Sequence, residues 1–201
     1  MLYYLFIDFQ RQPETLVVNE NTFFLRPQYP SMDDDGSTLN AFEQTCEDHG
    51  AFSRTADGYQ LTTTVFDSNV TATTLDDGYR IEVRVTGPLL GSVVDGQVAP
   101  IVETDWFETF ERRLNDLFSI AQSCRNADSA QPTWSIKRDS TTFTLTLEFR
   151  ANQVSLGVSD TKALIEYIEG TYAQGLIPGY SYRNEAKTLL ENAQHNSEQA
   201  L

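Results

Sequence analysis

The chain has 201 residues, of which 40% are apolar and 11% aromatic, enough to bury a core and form one domain of ordinary size. Its 14 basic and 29 acidic residues give a net charge of −15, which argues against nucleic acids and anionic membranes as partners. No apolar run approaches the roughly 20 residues of a membrane helix, so we expect a cytoplasmic protein without a membrane-spanning segment.

The acidic surface has few lysines to balance it: the chain contains only Lys137, Lys162 and Lys187. Such a surface repels itself at low salt, whereas in molar salt the Debye length falls to roughly 3 Å and the repulsion is screened. The composition therefore predicts adaptation to high salt. A merely acidic protein from a low-salt cell is the alternative.

Residues 1–31 differ from the rest of the chain, with the apolar run "MLYYLFIDF" and a possible hairpin before Pro30. Two interpretations are open: an N-terminal extension that belongs to the protein, or a segment upstream of a true start at Met32, which we favour. Cys46 and Cys124 lack metal-ligand spacing, so we expect free thiols and leave a disulfide between them open.

From Ser37 the pattern is regular. "STLNAFEQTCEDHG" (37–50) has apolar residues at helical spacing and a glycine stop, which predicts a first helix. Four strands come next, including "YQLTTTVF" (59–66) and "YRIEVRVT" (79–86), the latter with strictly alternating apolar side chains. We expect turns between them at Asp57-Gly58, 67–69 and 76–78. The segment "GPLLGSVVDG" (87–96) is predicted to be a loop.

Pro100 fits the first turn of a second helix, in which Trp106, Phe110 and Leu114 recur every four residues as a core face. Two strands, "TWSIKR" and "TTFTLTLEFR", then flank a turn at Asp139-Ser140. A third helix is predicted after Ser159, with one side formed by Leu164, Tyr167, Ile168 and Tyr172. We expect residues 183–201 to be a polar tail, either a frayed helix or disordered.

The predicted order is therefore α-β-β-β-β-α-β-β-α. Strands with one apolar face need a cover, and amphipathic helices supply it. We predict a single α+β domain over residues 37–182, a two-layer sandwich in which three helices cover an antiparallel sheet of five to six strands.

No cluster of residues indicates catalysis. Glu103, Asp105 and Glu108 fall on the solvent side or at the start of the second helix, so we interpret them as helix surface. "CEDH" (46–49) is interpreted as a buried helix cysteine beside an exposed histidine. The common nucleotide, zinc and calcium spacings do not occur. We therefore predict no catalytic residue, no cofactor and no metal.

One segment is harder to interpret as core alone. "EGTYAQGLIPGYSY" (169–182) places three Gly, one Pro and three Tyr in a short stretch. Tyr rings on a Gly-shaped loop form a recognition surface at low entropic cost, although they also close the ends of sheets. The candidate interaction surface consists of Tyr172, Gly175, Pro178, Gly179, Tyr180 and Tyr182.

Three stretches, "GAFSRTADGYQLTTTVFDSNVT", "VAPIVETDWFETFERRL" and "YIEGTYAQGLIPGYSY", together resemble a family of small uncharacterised proteins from halophilic archaea. The resemblance covers about residues 37–182, begins near Met32, and implies a haloarchaeal cytoplasm but no known chemistry. The order of elements is also similar to type III secretion chaperones, which often dimerise and bind extended segments of other proteins.

We therefore expect a non-enzymatic protein-binding module, with a protein partner or a second copy of itself, that binds through a sheet edge or the Tyr/Gly segment. An enzyme or small-molecule binder of unrecognised class is the alternative.

Overall fold

The computed structural model describes residues 36–125 and 131–199. The N-terminal extension expected over residues 1–31 lies outside this part of the chain. Two short 3₁₀ segments are Leu114–Ile120 and Ser123–Arg125. The helices are α1 (Gly36–Asp48), α2 (Leu90–Val93), α3 (Pro100–Arg113), α4 (Val154–Gly175) and α5 (Asn184–Gln199). The strands are β1 (Phe52–Thr55), β2 (Gly58–Leu61), β3 (Asp67–Leu75), β4 (Gly78–Pro88), β5 (Thr133–Arg138) and β6 (Thr142–Ala151).

The six strands form one antiparallel sheet in the order β1-β2-β3-β4-β6-β5. The α+β prediction and its antiparallel sheet are thus confirmed. Sequence neighbours pair as hairpins except β4 and β5. The long connection between these two strands carries α2 and α3, and β6 lies between them in the sheet. None of the helices in the described ranges is both long and apolar enough to cross a membrane.

Alternation of side chains gives the sheet one buried face. In the central pair, Ile81 lies opposite Phe149, and Val83 opposite Leu147, all of them buried. The residues between them, such as Arg80 and Glu82, point to the other face. Helices α3 and α4 supply the other half of the core through Trp106, Phe107, Phe110, Leu164, Ile165 and Ile168.

The connection between β2 and β3 differs from the prediction. Strand β2 ends at Leu61, residues 62–66 form the turn, and β3 already begins at Asp67, where a turn had been predicted. The carboxylate of Glu169 on α4 accepts the backbone N–H groups of Val65 (2.6 Å) and Phe66 (3.0 Å), which strand pairing would otherwise use. Burial raises the pKa of Glu169, although these two amide bonds act in the opposite direction.

The structure contains more helix than the sequence predicted. The expected loop 87–96 includes α2, because Leu90 and Val93 are buried one turn apart. Helix α4 begins at Val154, before the predicted start after Ser159. The expected polar tail forms α5, in which Ala186 and Leu189 pack into the core.

Two glycines of α4 offer a matched test of packing. A Cβ on Gly157 would lie 2.6 Å from Ile81 Cδ1 and 2.9 Å from the Cβ of Ala151, whereas one on Gly170 would meet nothing within 4 Å. We expect Gly170→Ala to stabilise the fold by about 0.5–1 kcal/mol through helix propensity. In Gly157→Ala the same gain is opposed by about 1–3 kcal/mol of overpacking, so its melting temperature should fall. Equal gains in thermal unfolding would show that α4 does not press against β4 at Gly157.

Candidate functional site

A hollow of about 380 Å³ opens between α3 and the end of α4. Its back wall is apolar and its rim carries polar side chains. The apolar residues are Val102, Trp106, Phe110, Leu176, Ile177 and Pro178, and the polar ones are Asp105, Thr109, Arg113 and Gln174. The volume suits one large side chain or a small molecule.

The back wall of the hollow is held in place by Trp106. Its indole Nε1–H donates to the carbonyl oxygen of Gly175 at 3.0 Å, and its ring stacks on Phe110 with 5.9 Å between centroids. A Cβ on Gly175 would lie 3.4 Å from that indole nitrogen, which is van der Waals contact, so the indole packs directly against the backbone of this residue. The end of α4 is thereby fixed to α3.

The loop after α4 is closed by its own tyrosine. The Tyr182 hydroxyl accepts the N–H of Ile177 (2.8 Å) and donates to the carbonyl oxygen of Ile177 (2.9 Å). Burial raises the pKa of Tyr182, while the bond from the Ile177 amide lowers it. Gly179 takes a φ of 97°, a conformation that favours glycine, and Tyr182 pairs with Val94 in an isolated β-bridge. The rim formed by this loop is therefore preorganised.

The structure places the six predicted surface residues in different surroundings. Gly175 and Pro178 line the hollow, Gly179 is exposed, and Tyr180 is partly buried with its ring edge-on to that of Tyr182 at 6.4 Å between centroids. Tyr182 braces the loop from within. The prediction that Tyr172 belongs to the interaction surface is wrong, because its side chain is fully buried among aromatic rings.

A second, more polar hollow of about 620 Å³ continues from the first along the same two helices. The two hollows share Arg113 and Gln174, so we call them together the α3/α4 groove. The second hollow is lined by Arg112, Arg113, Asp116, Tyr167, Gly170, Thr171 and Gln174. Within the described ranges neither arginine forms an ion pair, and Arg112 donates to Thr109 (3.0 Å) instead of pairing with Glu108.

An exposed apolar side chain lies on α3 one turn before a residue that lines the groove. Ile101, in the first turn of α3, exposes 64% of its surface and is the only large hydrophobic residue of the described chain that is exposed. It lies beside Val102 and one turn before Asp105, both of which line the hollow. Ile101 does not itself line the hollow, but it adds exposed apolar surface next to Asp105 on α3.

The other candidates for chemistry remain apart. Cys46 is buried, which raises the pKa of its thiol to about 12, whereas His49 is exposed and packs its ring edge-on to Phe52. Glu103 accepts the N–H of Gly91 at 3.0 Å. Both cysteines are free thiols, and burial raises the pKa of Cys124 to about 11. The described residues contain no group of three or more potential metal ligands.

Comparison with known families matches residues 47–192 to a family of unknown function, DUF5813. The chain belongs to this family. No curated protein and no solved structure matches it. The matched region includes all six strands, α3 and α4, and therefore both walls of the groove. The family has no stated activity.

Sequence reasoning missed the contribution of α3 to this site. Trp106 and Phe110 were predicted as core, and both are indeed buried, but their edges also form the back wall of the hollow. Arg113 was assigned no role from the sequence. Its signal is weak: Arg113 comes one turn after Phe110 of the apolar stripe, and its only acidic neighbour at helical spacing is Asp116 at i+3.

Proposed function

We propose that this chain is a protein-binding module that holds a segment of a partner protein in the α3/α4 groove. The observation that carries the proposal is the apolar hollow, with the exposed Ile101 one turn before its lining residue Asp105 on α3. A fixed cavity that accepts one anchoring side chain, bordered by exposed apolar surface, is typical of peptide recognition. Its rigid walls, held by Trp106 and Tyr182, reduce the entropy lost on binding.

The charges of the groove specify the partner segment. Arg112 and Arg113 are neighbours in a chain whose net charge is −15, and each is largely exposed. We propose that the segment places one apolar side chain in the first hollow and a carboxylate near Arg113. Because Asp105 lines the first hollow, about two turns before Arg113 on the same helix, we expect the carboxylate to be directed toward the second hollow rather than the first.

Peptide selection tests this function directly. We expect a random phage-displayed peptide library, selected in molar KCl on the full-length chain, to enrich sequences with an apolar residue near an acidic one. Thr109→Trp, which fills the hollow, should weaken a selected peptide by at least about tenfold in fluorescence anisotropy, equivalent to 1.4 kcal/mol. Thr188→Trp on α5 is the matched control and should leave affinity unchanged.

Two outcomes would contradict the proposal. One is the absence of any enriched peptide. The other is a selected peptide whose affinity is the same for wild type and Thr109→Trp, because its site would then lie elsewhere. Tyr180→Ala extends the test to the loop after α4, where a loss of affinity in a chain that melts like wild type would show that the partner also contacts this loop.

A small-molecule binder is the second candidate, and the volume of the hollow favours it. About 380 Å³ falls within the range of about 300–1,000 Å³ that ligand pockets occupy. Native mass spectrometry of the protein purified from its own host would distinguish the two. A bound small molecule displaced by Thr109→Trp would support this candidate over peptide binding.

We further propose that the protein works in the salt-rich cytoplasm of a haloarchaeon. The net charge of −15 and the resemblance of three sequence stretches to haloarchaeal proteins support this habitat. A chaperone- or adaptor-like role rests on the order of elements alone, since no solved structure matches.

The habitat predicts a salt-dependent fold. We expect the melting temperature, measured by circular dichroism, to fall below about 0.5 M KCl, because repulsion among the acidic side chains is then unscreened. Sucrose is the control, since it favours the folded state without screening charges and should not replace KCl. Equal melting temperatures in low and molar KCl would refute the adaptation.

A further inference from the structure

The face of the sheet opposite the helices is polar and bears an ordered pattern of charges. On β4 the side chains on this face alternate in sign, from Arg80 through Glu82 to Arg84. On β6 they include Arg150 and Glu148. In the part of the chain that the structure describes, all the large buried side chains of these two strands are on the other face.

The register places like charges directly opposite one another. Arg80 pairs with Arg150, and in the adjacent row Glu82 pairs with Glu148. Directly opposed like charges disfavour an antiparallel pair. A row of two arginines thus lies beside a row of two glutamates, at the centre of the sheet.

Contacts within one chain relieve this arrangement only in part. Arg80 Nε lies 3.5 Å from Glu148 Oε1, and Arg84 Nη2 lies 2.9 Å from Glu82 Oε1. All four side chains are roughly half exposed, so these ion pairs contribute little in water. Arg150 forms no ion pair with any described residue.

We infer that this face binds a second copy of the chain, sheet against sheet. A two-fold axis that runs across the strands, between the two rows, places Arg80 of one copy on Glu82 of the other, and Arg150 on Glu148. An axis parallel to the strands would instead place Arg80 on Arg150. The pattern is self-complementary for only one of these two axes, and it therefore selects the orientation of the dimer.

The same operation matches a further charge. The two-fold axis places Arg84 of one copy over Gly78 of the other. Gly78 adjoins the acidic turn Asp76-Asp77, so Arg84 comes near carboxylates of the other copy. Strands of the two copies then run nearly antiparallel across the interface, as in aligned sheet packing. The contact contains two reciprocal sets of opposite charges and, in its described part, no opposed like pair.

The size and charge of the interface predict its behaviour in solution. Four strands spaced about 4.8 Å apart over about four rows cover on the order of 500 Å² per copy, near the lower limit for a specific interface. Two copies of net charge −15 repel each other at low salt. Molar salt screens that repulsion over distances beyond about 3 Å, so we expect the dimer in molar KCl and its dissociation on dilution.

Charge exchange on the full-length chain tests the inference. Sedimentation velocity in molar KCl should show a concentration-dependent dimer for wild type. R80E/R150E and E82R/E148R should each be monomeric, with dissociation raised by at least about tenfold. An equimolar mixture of the two variants should restore a 1:1 heterodimer. Lys187→Glu on α5, a charge reversal away from this face, should dimerise like wild type.

Circular dichroism in the same buffer checks that each variant is folded, and R150Q and E148Q serve where a double reversal unfolds. These milder variants should weaken the dimer in the same direction. A wild-type chain that stays monomeric at every concentration would overturn the inference. So would dimers that survive in both reversed variants, or a mixture that forms no heterodimer. The inference concerns a different surface from the groove, so either proposal can fail without the other.

Discussion

Replacing Asp160 with alanine is expected to destabilise the fold by about 3–5 kcal/mol. Asp160 is a carboxylate of α4 with only 4% of its surface exposed. It accepts the N–H of Gln122 at 2.9 Å, the N–H of Ser123 at 2.7 Å and the Ser123 hydroxyl at 2.5 Å. Alanine leaves these donors without an acceptor at the start of the second 3₁₀ segment after α3, and two of them are buried.

Asp139 provides a matched control for Asp160. It also accepts three hydrogen bonds, from the N–H groups of Thr141 and Thr142 and from the Thr142 hydroxyl, but it is exposed in the β5–β6 turn. Water can satisfy the donors that Asp139→Ala releases, so we expect a much smaller loss than for Asp160→Ala. Urea-induced unfolding in molar KCl measures the loss of stability in each of the two variants. Similar losses would mean that burial does not set the strength of the Asp160 contacts.

The contribution of Asp139 to stability depends on pH. The amide of Thr141, together with the groups of Thr142, lowers the pKa of Asp139 below its ordinary value of 3.8. A carboxylate with a depressed folded pKa stabilises the fold above its unfolded pKa and loses that contribution as pH falls through the folded one. The comparison with Asp160→Ala therefore belongs at neutral pH, where the Asp139 contribution is fully present.

The sheet was predictable because its signals are local. Alternation along "YRIEVRVT" and "TTFTLTLEFR" specifies which face is buried, and turn residues such as Asp57-Gly58 specify where strands reverse. Helix α3 was likewise predictable from Pro100 and the period of its apolar residues. Each of these patterns lies within about a dozen residues of chain.

The misplaced elements depend on contacts between distant residues. The predicted second strand stops at Leu61, and the N–H of Val65 beyond it is bonded to Glu169, 104 residues away, instead of to a neighbouring strand. Asp160 shows the same limit: it lies on the stripe of Leu164 and Ile168, where a carboxylate signals a buried acceptor, but its donors are 37 and 38 residues away. No local pattern identifies such partners.

The candidate site was only half predictable for the same reason. The Tyr/Gly segment was recognised as unusual, and Gly175 and Pro178 do border the hollow. Its other wall comes from α3, and the approach of Trp106 to Gly175 joins residues 69 apart in sequence. Gly, Pro and Tyr composition indicates a shaped loop but not which helix faces it.

The groove and the charged sheet face lie on opposite sides of the sheet. In the dimer that we infer, the two helical layers point outward, and the two α3/α4 grooves with them. Such a particle would present two equivalent sites to a partner. Binding of a partner with two copies of the segment would then exceed the affinity of one groove through effective concentration.

Tyr172 carries the second large expected effect. Its ring is fully buried, with centroids 4.9 Å from Phe66, 5.3 Å from Trp106 and 6.0 Å from Phe110. Tyr172→Ala removes the centre of this aromatic cluster and leaves a cavity between the sheet and α4. We expect a loss of about 3–5 kcal/mol in the free energy of unfolding, measured by urea denaturation in molar KCl.

The matched variant Tyr172→Phe separates the ring from its hydroxyl. The buried hydroxyl finds no hydrogen-bond partner among the described residues, and burial raises the pKa of this tyrosine. Phenylalanine removes an unsatisfied polar group and keeps the ring, so we expect unchanged or higher stability, by up to about 1 kcal/mol. Peptide affinity should also be unchanged, because Tyr172 lies behind the back wall rather than on the surface. A Tyr172→Phe chain that loses stability or peptide affinity would show that the hydroxyl has a partner, and would return Tyr172 to the binding site.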